Sequence, residues 1–380
     1  MSFSINTVTL LYLVASICFI QALKGLSHPT TSIRGNIFGI AGMIIAVFTT
    51  FGLIGTMSGF LSKENLSNGF AIVFAGIILG GGIGATMAKK VEMTKMPELV
   101  AFMHSMVGLA AVFIAIAAVL EPYALNITEK GQLIPAGNRL ELFLGAAIGA
   151  ITFSGSVIAF GKLSGSYKFR LFQGSPIVFK GQHFLNLILG SIIIILGLVF
   201  TFTQNLDAFF VMLFLAFIIG VLMIIPIGGA DMPVVVSMLN SYSGWAAAGI
   251  GFSLGNSLLI VAGSLVGSSG AILSYIMCKA MNRSFISVIL GGFGGEVSGP
   301  AGSTEQRPVK SGSADDAAFM LSNAESVIIV PGYGLAVARA QHALKELSDT
   351  LISKNIQVRY AIHPVAGRMP GHMNVLLAEA

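Results

Sequence analysis

Apolar stretches of about 20 residues, each long enough to cross a hydrocarbon core of roughly 30 Å as a helix, recur along most of this chain. Only 10% of its 380 residues are charged, against about 25% in soluble domains, so much of the surface must face lipid. The sequence therefore predicts a polytopic α-helical membrane bundle. We expect nine transmembrane helices, at 5–23, 35–57, 69–88, 98–120, 140–161, 184–202, 208–228, 232–254 and 256–278.

Lysine and arginine residues between these spans are divided unequally between the two sides of the membrane. One set of loops holds eleven of them, whereas the opposite set holds three, Lys63, Lys130 and Arg139. Because cytoplasmic loops carry the excess of positive charge, we expect the N-terminus outside and the segment after Lys279 in the cytoplasm. The net charge of +5 is scattered among apolar runs, which argues against nucleic-acid binding.

The composition changes near residue 290 and divides the chain into three parts. Residues 1–290 form the predicted transmembrane domain, and the Gly-, Ser- and Ala-rich residues 291–324 indicate a flexible linker. Residues 325–380 have the pattern of one βαβ unit, with strands at 326–330 and 356–362 around a helix at 335–353. The sequence thus predicts a partial Rossmann-like α/β nucleotide-binding domain after the bundle.

A glycine-containing turn, Gly332-Tyr333-Gly334, follows the first predicted strand and opens the predicted helix. Glycines at such a turn let the backbone approach a dinucleotide pyrophosphate at the helix N-terminus. The third position of the general pattern holds Val337 instead of Gly or Ala. These residues alone leave two interpretations open, a nucleotide-binding turn and an ordinary βα turn.

The segment at the end of the second predicted strand, 359–368, contains no acidic residue, whereas NAD-specific folds usually place Asp or Glu there for the ribose hydroxyls. It contains His363 and Arg368 instead. This pattern favours NADP over NAD, and ordinary surface charge is the alternative explanation.

Ionisable and amide side chains within predicted spans mark candidate functional positions, because such groups are costly in lipid. His104 lies in the fourth span, where it could relay protons near neutral pH or could be a neutral histidine hydrogen-bonded between helices. Asp231 opens the eighth span, and Asn240 lies near its middle. A polar stripe in this span indicates either hydrogen-bonded helix packing or the lining of a water-filled path; it comprises Ser237, Asn240, Ser241 and Ser243.

The histidine and cysteine residues show no spacing typical of a metal site, so we predict no metal. No arrangement of Ser, His, Asp or Cys indicates a nucleophile. Glycine pairs at helical spacing, Gly145 with Gly149 and Gly263 with Gly267, predict close helix packing in the membrane.

Several long segments resemble the β subunit of proton-translocating NAD(P) transhydrogenase. They run over residues 95–111, 229–245 and 267–275, and residues 363–380 resemble its NADP(H) domain. The chain is identified as a member of that family, and the resemblance covers essentially its whole length. It implies hydride transfer from NADH to NADP⁺, driven by inward proton movement.

The resemblance also implies partners and a location. NAD(H) binds a separate α subunit, this chain binds NADP(H), and the expected assembly is a dimer of αβ units. We expect a bacterial cytoplasmic (inner) membrane, with the C-terminal domain in the cytoplasm. His104 and Asn240 match the family's proton pathway, whereas Asp231 and Arg283 match positions near its cytoplasmic mouth and hinge.

The nucleotide-binding positions implied by the resemblance are Gly332, Tyr333, Gly334, Val337, Ala338, His363, Gly367 and Arg368. In the family this domain continues beyond the segment that matches Ala380, so we expect residues 325–380 to form its N-terminal part and to bind NADP(H) weakly by themselves. A secondary transporter with a nucleotide-sensing tail and a non-catalytic membrane scaffold are the alternative classes.

Overall fold

A computed structural model shows a helical bundle followed by a small α/β unit. It describes residues 5–57, 63–91, 95–164, 172, 176–228, 231–280, 284–285, 312–338, 340–367 and 371–380. The bundle consists of nine long helices: α1 Ile5–Leu26, α2 Ser32–Met57, α3 Lys63–Lys90, α4 Met96–Leu120, α5 Ala136–Ser164, α6 Gln182–Thr203, α7 Leu206–Ile224, α8 Met232–Ser253 and α9 Ser257–Ala280. Each of the nine predicted spans overlaps one of these helices, so the predicted order is confirmed.

Eight helices in the described part of the chain are long and apolar enough to cross a membrane. The ninth long helix, α8, is long enough but is not among these eight, and it carries the polar stripe. It packs against α9, α5 and α4 inside the bundle. Polar side chains can find partners on neighbouring helices there, which lipid does not provide.

The contact between α8 and α9 depends on small residues. A Cβ atom added to Gly263 would lie 2.5 Å from the backbone nitrogen of Ala248 and 2.7 Å from the carbonyl oxygen of Gly244. A Cβ on Gly244 would in turn run into the backbone of Gly267. The prediction that the glycine pair in α9 serves close helix packing is confirmed.

Three predicted boundaries are wrong by four residues or more. Helix α3 begins at Lys63 instead of 69, and α5 begins at Ala136 instead of 140. The end of the seventh span is also wrong, by four residues. The seventh span was expected to reach residue 228, but α7 ends at Ile224. Pro226 lacks the backbone N–H that would continue the helical ladder, and its ring clashes with the preceding turn. The chain therefore turns at 225–228, the α7–α8 turn, before Asp231.

The C-terminal unit is built around two parallel strands, β1 Ser326–Ile329 and β2 Gln357–Tyr360, with Val327 opposite Val358. The predicted strand–helix–strand order is confirmed. The single helix expected at 335–353 is replaced by α11 Tyr333–Ala338 and α12 Gln341–Ser353. The N–H of Ala340 bonds the carbonyl of Leu335, five residues back, which interrupts the α-helical ladder. A last helix, α13, spans His372–Glu379.

Part of the predicted linker is helical. Within 291–324, the structure describes residues 312–324, and Ala314–Ser322 form helix α10. Ser313 and Asp316 form a capping box, in which each side chain bonds the other residue's backbone N–H. The hydrogen bond from the Ser313 backbone lowers the pKa of Asp316. The Gly- and Ser-rich composition predicted a flexible linker and did not take this local capping signal into account. Residues 291–311 lie outside the described part of the chain.

Candidate functional site

His104 lies on α4, is partly buried and faces α8. Its Nδ1 atom is 3.3 Å from Oγ of Ser243. Ser243 is buried, and its hydroxyl also donates to the carbonyl of Leu239 at 2.9 Å. A histidine and a serine thus form a polar contact between two membrane helices. The contact suits both interpretations of His104, a relay group and a hydrogen-bonded packing residue.

The serines of the polar stripe on α8 contact two different helices, α9 and α4. Ser237 donates to the carbonyl of Gly270 at 3.1 Å, and Ser241 donates to the carbonyl of Gly267 at 2.6 Å. Both acceptors belong to α9, so these two serines serve helix packing. Ser243 alone among the serines of the stripe contacts His104, and its hydroxyl therefore belongs to the candidate site rather than to the α8–α9 contact.

The other predicted membrane positions are spread along α8 and beyond. Asn240 is partly buried one turn before Ser243. Asp231 is the N-cap residue of α8, and Ser243 lies about 18 Å further along the helix at 1.5 Å per residue. The structure therefore brings His104 to α8 but keeps Asp231 well apart from it. Arg283 lies outside the described residues.

Sequence reasoning missed a buried lysine at the same end of α8 as Asp231. Lys162 was counted among the loop charges, but it lies in the last turn of α5 and is 2% exposed. Its Nζ donates to the carbonyl of Ile227 at 2.8 Å and to the carbonyl of Ile225. Both acceptors belong to the α7–α8 turn. Because Lys162 follows an apolar run directly, its position resembled that of a membrane-flanking charge.

The glycine-containing turn has the structural context that a nucleotide-binding turn requires. It follows β1, and α11 begins at Tyr333. A Cβ added to Gly332 or Gly334 would meet no atom of the described residues within 4 Å. Internal packing among the described residues therefore does not explain why glycine occupies these two positions.

A second segment comes close to this turn through His372, which sequence reasoning did not select. The rings of Tyr333 and His372 have centroids 6.5 Å apart. Gly367 adopts a φ of +118°, and a Cβ there would run into the His372 side chain. Since parallel strands end at the same edge of a sheet, residues after β1 and after β2 meet there. This edge is where open α/β sheets bind ligands.

The remaining predicted nucleotide positions are less informative. His363 is exposed, and its Nδ1 accepts a hydrogen bond from the backbone of Val365 at 3.3 Å. Ala338 ends α11 and is exposed. The side chain of Val337 and the whole of Arg368 lie outside the described residues.

A bundle of membrane-spanning helices followed by a parallel βαβ unit defines a membrane protein with an α/β domain of the kind that binds nucleotides. The family model of the NAD(P) transhydrogenase beta subunit matches residues 8–380. Two NAD(P) transhydrogenase beta subunits of Rhodospirillum rubrum, one from a named strain, are each 58% identical over 371 residues, or 97% of this chain and 76% of the relative. The chain belongs to the NAD(P) transhydrogenase β-subunit family, as the sequence segments predicted.

Proposed function

We propose that this β subunit couples inward proton movement across the membrane to hydride transfer from NADH to NADP⁺. NADH binds the α subunit, and NADP(H) binds the C-terminal domain of this chain. The observation that carries the proposal is that one family match runs through both the helical bundle and the βαβ unit. The two halves of a coupled reaction, a membrane passage and a nucleotide site, then belong to one polypeptide.

The proposed proton pathway uses His104 and Asn240 in the membrane and Asp231 and Arg283 near its cytoplasmic end. The contact between His104 and Ser243 supports the first of these roles, because it places a titratable ring beside the polar face of α8. The distance of about 18 Å along α8 between Ser243 and Asp231 requires intermediate carriers. Asn240 lies between them on the same helix and can orient water there.

The proposed NADP(H) site lies at the C-terminal edge of the two parallel strands. The open space around Gly332 and Gly334 supports close approach of the pyrophosphate to the backbone. Absence of an acidic residue in 359–368 favours the 2′-phosphate of NADP(H). The positions that we assign to this cofactor are Gly332, Tyr333, Gly334, Val337, Ala338, His363, Gly367 and Arg368.

We place the bundle in a bacterial cytoplasmic membrane, with the α/β domain in the cytoplasm, and the active assembly is a dimer of αβ units. The positive charge of one set of loops supports this orientation. The relatives are named beta subunits, which supports an α-subunit partner, and we assign the NAD(H) site to that partner.

The experiment uses the chain in its natural length, co-expressed with its α subunit and reconstituted into vesicles. An imposed proton gradient directed toward the nucleotide domains should accelerate NADPH formation from NADH and NADP⁺, and an uncoupler should abolish the acceleration. Nucleotide turnover that does not respond to the gradient would refute the coupling. Solute uptake in place of hydride transfer would favour a secondary transporter.

A further inference from the structure

The C-terminal end of α7 leaves carbonyl groups that its own helix cannot satisfy. Pro226 has no N–H, so the carbonyl of Leu222, four residues earlier, lacks its usual helical partner. The side-chain amide of Gln182, at the start of α6, lies 3.4 Å from that oxygen. Gln182 is 3% exposed, so this donor is also withdrawn from solvent.

The next carbonyls of the α7–α8 turn receive donors from α5 and from the segment before α6. The carbonyl of Ile225 accepts from Nζ of Lys162 and from the backbone N–H of Ile177, the latter at 3.1 Å. The carbonyl of Ile227 accepts from the same Nζ at 2.8 Å. One ammonium group thus joins two carbonyls on either side of Pro226 and ties the turn to α5.

Packing alone does not require a lysine at this position. Removing an ammonium group from water is unfavourable, and apolar residues of similar volume often replace buried charges without loss of stability. Among the described residues, the hydrogen-bond acceptors of Lys162 are two neutral carbonyls. A cation at a helix C-terminus interacts favourably with the helix dipole. We therefore interpret Lys162 as a residue that holds the backbone of the α7–α8 turn in place, and not as a member of an ion pair.

The α7–α8 turn is linked to the candidate site through a packed cluster. Ile227 belongs to one buried apolar cluster with Ile158 of α5 and with Val235 and Leu239 of α8. The carbonyl of Leu239 accepts the hydroxyl of Ser243, which contacts His104. A displacement of the turn would consequently reach the helix that carries Asp231, Asn240 and Ser243.

We propose that Lys162 is a positioning residue for the coupled reaction. Its ammonium group fixes the α7–α8 turn and, through it, the N-terminal half of α8, where Asp231 begins the helix. This inference rests on the proposed function, because the reaction that it positions is proton-coupled transhydrogenation. In this scheme Lys162 stays protonated, does not relay protons and contacts neither nucleotide.

The test compares Lys162→Met and Lys162→Arg with the wild-type protein in its natural length, assembled with the α subunit in vesicles. Lys180→Met is the matched control, since Lys180 is an exposed lysine in the segment before α6. We expect Lys162→Met to assemble but to lose about tenfold of the gradient-driven rate, the effect of losing hydrogen bonds from a charged donor. Lys162→Arg should keep more of the wild-type rate than Lys162→Met does, because it keeps a cationic donor. Lys180→Met should match the wild type.

Each other outcome is decisive. A wild-type driven rate in Lys162→Met, or an equal loss in the Met and Arg variants, would overturn the positioning role. If neither variant assembled with the α subunit, Lys162 would act in folding and not in the reaction, and the proposal would again be wrong. A wild-type protein without any gradient-driven rate would instead refute the proposed function and the inference together.

Discussion

Nδ1 of His104 and Oγ of Ser243 lie 3.3 Å apart, and the same hydroxyl donates to the carbonyl of Leu239 at 2.9 Å. A serine hydroxyl has one proton, so in this arrangement it accepts from an N–H at Nδ1. The neutral imidazole then carries its free lone pair on Nε2. Ser243 thereby selects the nitrogen that can take up a proton, which is the property a relay group needs.

Replacing His104 with alanine should separate coupling from folding. One polar contact between membrane helices contributes only about 1 kcal/mol, so His104→Ala should assemble with the α subunit at a normal level. The gradient-driven transhydrogenation rate should fall to the background, because no titratable group replaces the ring. His183→Ala, which removes an exposed histidine, is the control. A normal driven rate in His104→Ala would leave this histidine with a packing role alone.

Two serines of α8 should respond differently to the same substitution. Ser243→Ala removes the acceptor of His104 and should lower the gradient-driven rate several-fold. Ser241→Ala removes a hydrogen bond to the carbonyl of Gly267 and should instead lower thermal stability by about 1 kcal/mol. Driven rates and melting curves of the two purified complexes measure this difference. Equal effects of both variants on the driven rate would contradict the division of the polar stripe between α4 and α9.

The number and order of the bundle helices could be predicted because the length of an apolar run is set by membrane thickness alone. The direction of individual side chains could not. Ser241 and Ser243 are two residues apart, so their side chains point to different sides of α8. Because α8 has no clear apolar face, its sequence does not indicate which neighbouring helix each side contacts. That assignment depends on the packing of α4 and α9 around α8.

Lys162 shows a second limit of sequence reasoning. A lysine at the end of an apolar run usually marks the membrane surface, and its side chain extends into water. The carbonyls that bind it belong to Ile225 and Ile227, more than sixty residues away in sequence. Pro226 is a sequence signal for the end of α7 that the predicted span 208–228 did not use, and a proline cannot indicate which donor meets the free carbonyls. The turn at Gly332 was predictable because strand, glycines and helix are adjacent in the chain.

The orientation of the bundle can be tested by labelling single cysteines. If the uneven distribution of Lys and Arg sets orientation, a cysteine at position 130 should react with an impermeant thiol reagent from outside. A cysteine at position 180 should react only after the membrane is opened or inverted. The background is Cys18→Ala with Cys278→Ala, since both native cysteines are free. Labelling with the opposite sidedness would reverse the predicted topology.

The close contact of α8 with α9 predicts a strong steric effect at Gly244. Gly244→Val would drive its side chain into the backbone of Gly267, which cannot move without separating the helices. Overpacking of this kind costs about 1–3 kcal/mol, so the melting temperature of the purified complex should fall clearly. Gly80→Val in α3 is the control, because a Cβ at Gly80 meets no described atom within 4 Å. Equal melting temperatures for the two variants would contradict the tight packing.

Substitution of Gly332 tests whether its open surroundings serve a nucleotide. A Cβ at Gly332 meets no described atom within 4 Å, so Gly332→Val should fold normally. The branched side chain would nevertheless occupy the space through which a pyrophosphate approaches the backbone at the start of α11. We expect NADPH affinity, measured by titration calorimetry on the natural-length subunit with its partner, to fall at least about tenfold, or about 1.4 kcal/mol. Gly137→Val, at a similarly open glycine in the first turn of α5, should leave the affinity unchanged. Wild-type affinity in Gly332→Val would mean that this turn only connects β1 to α11.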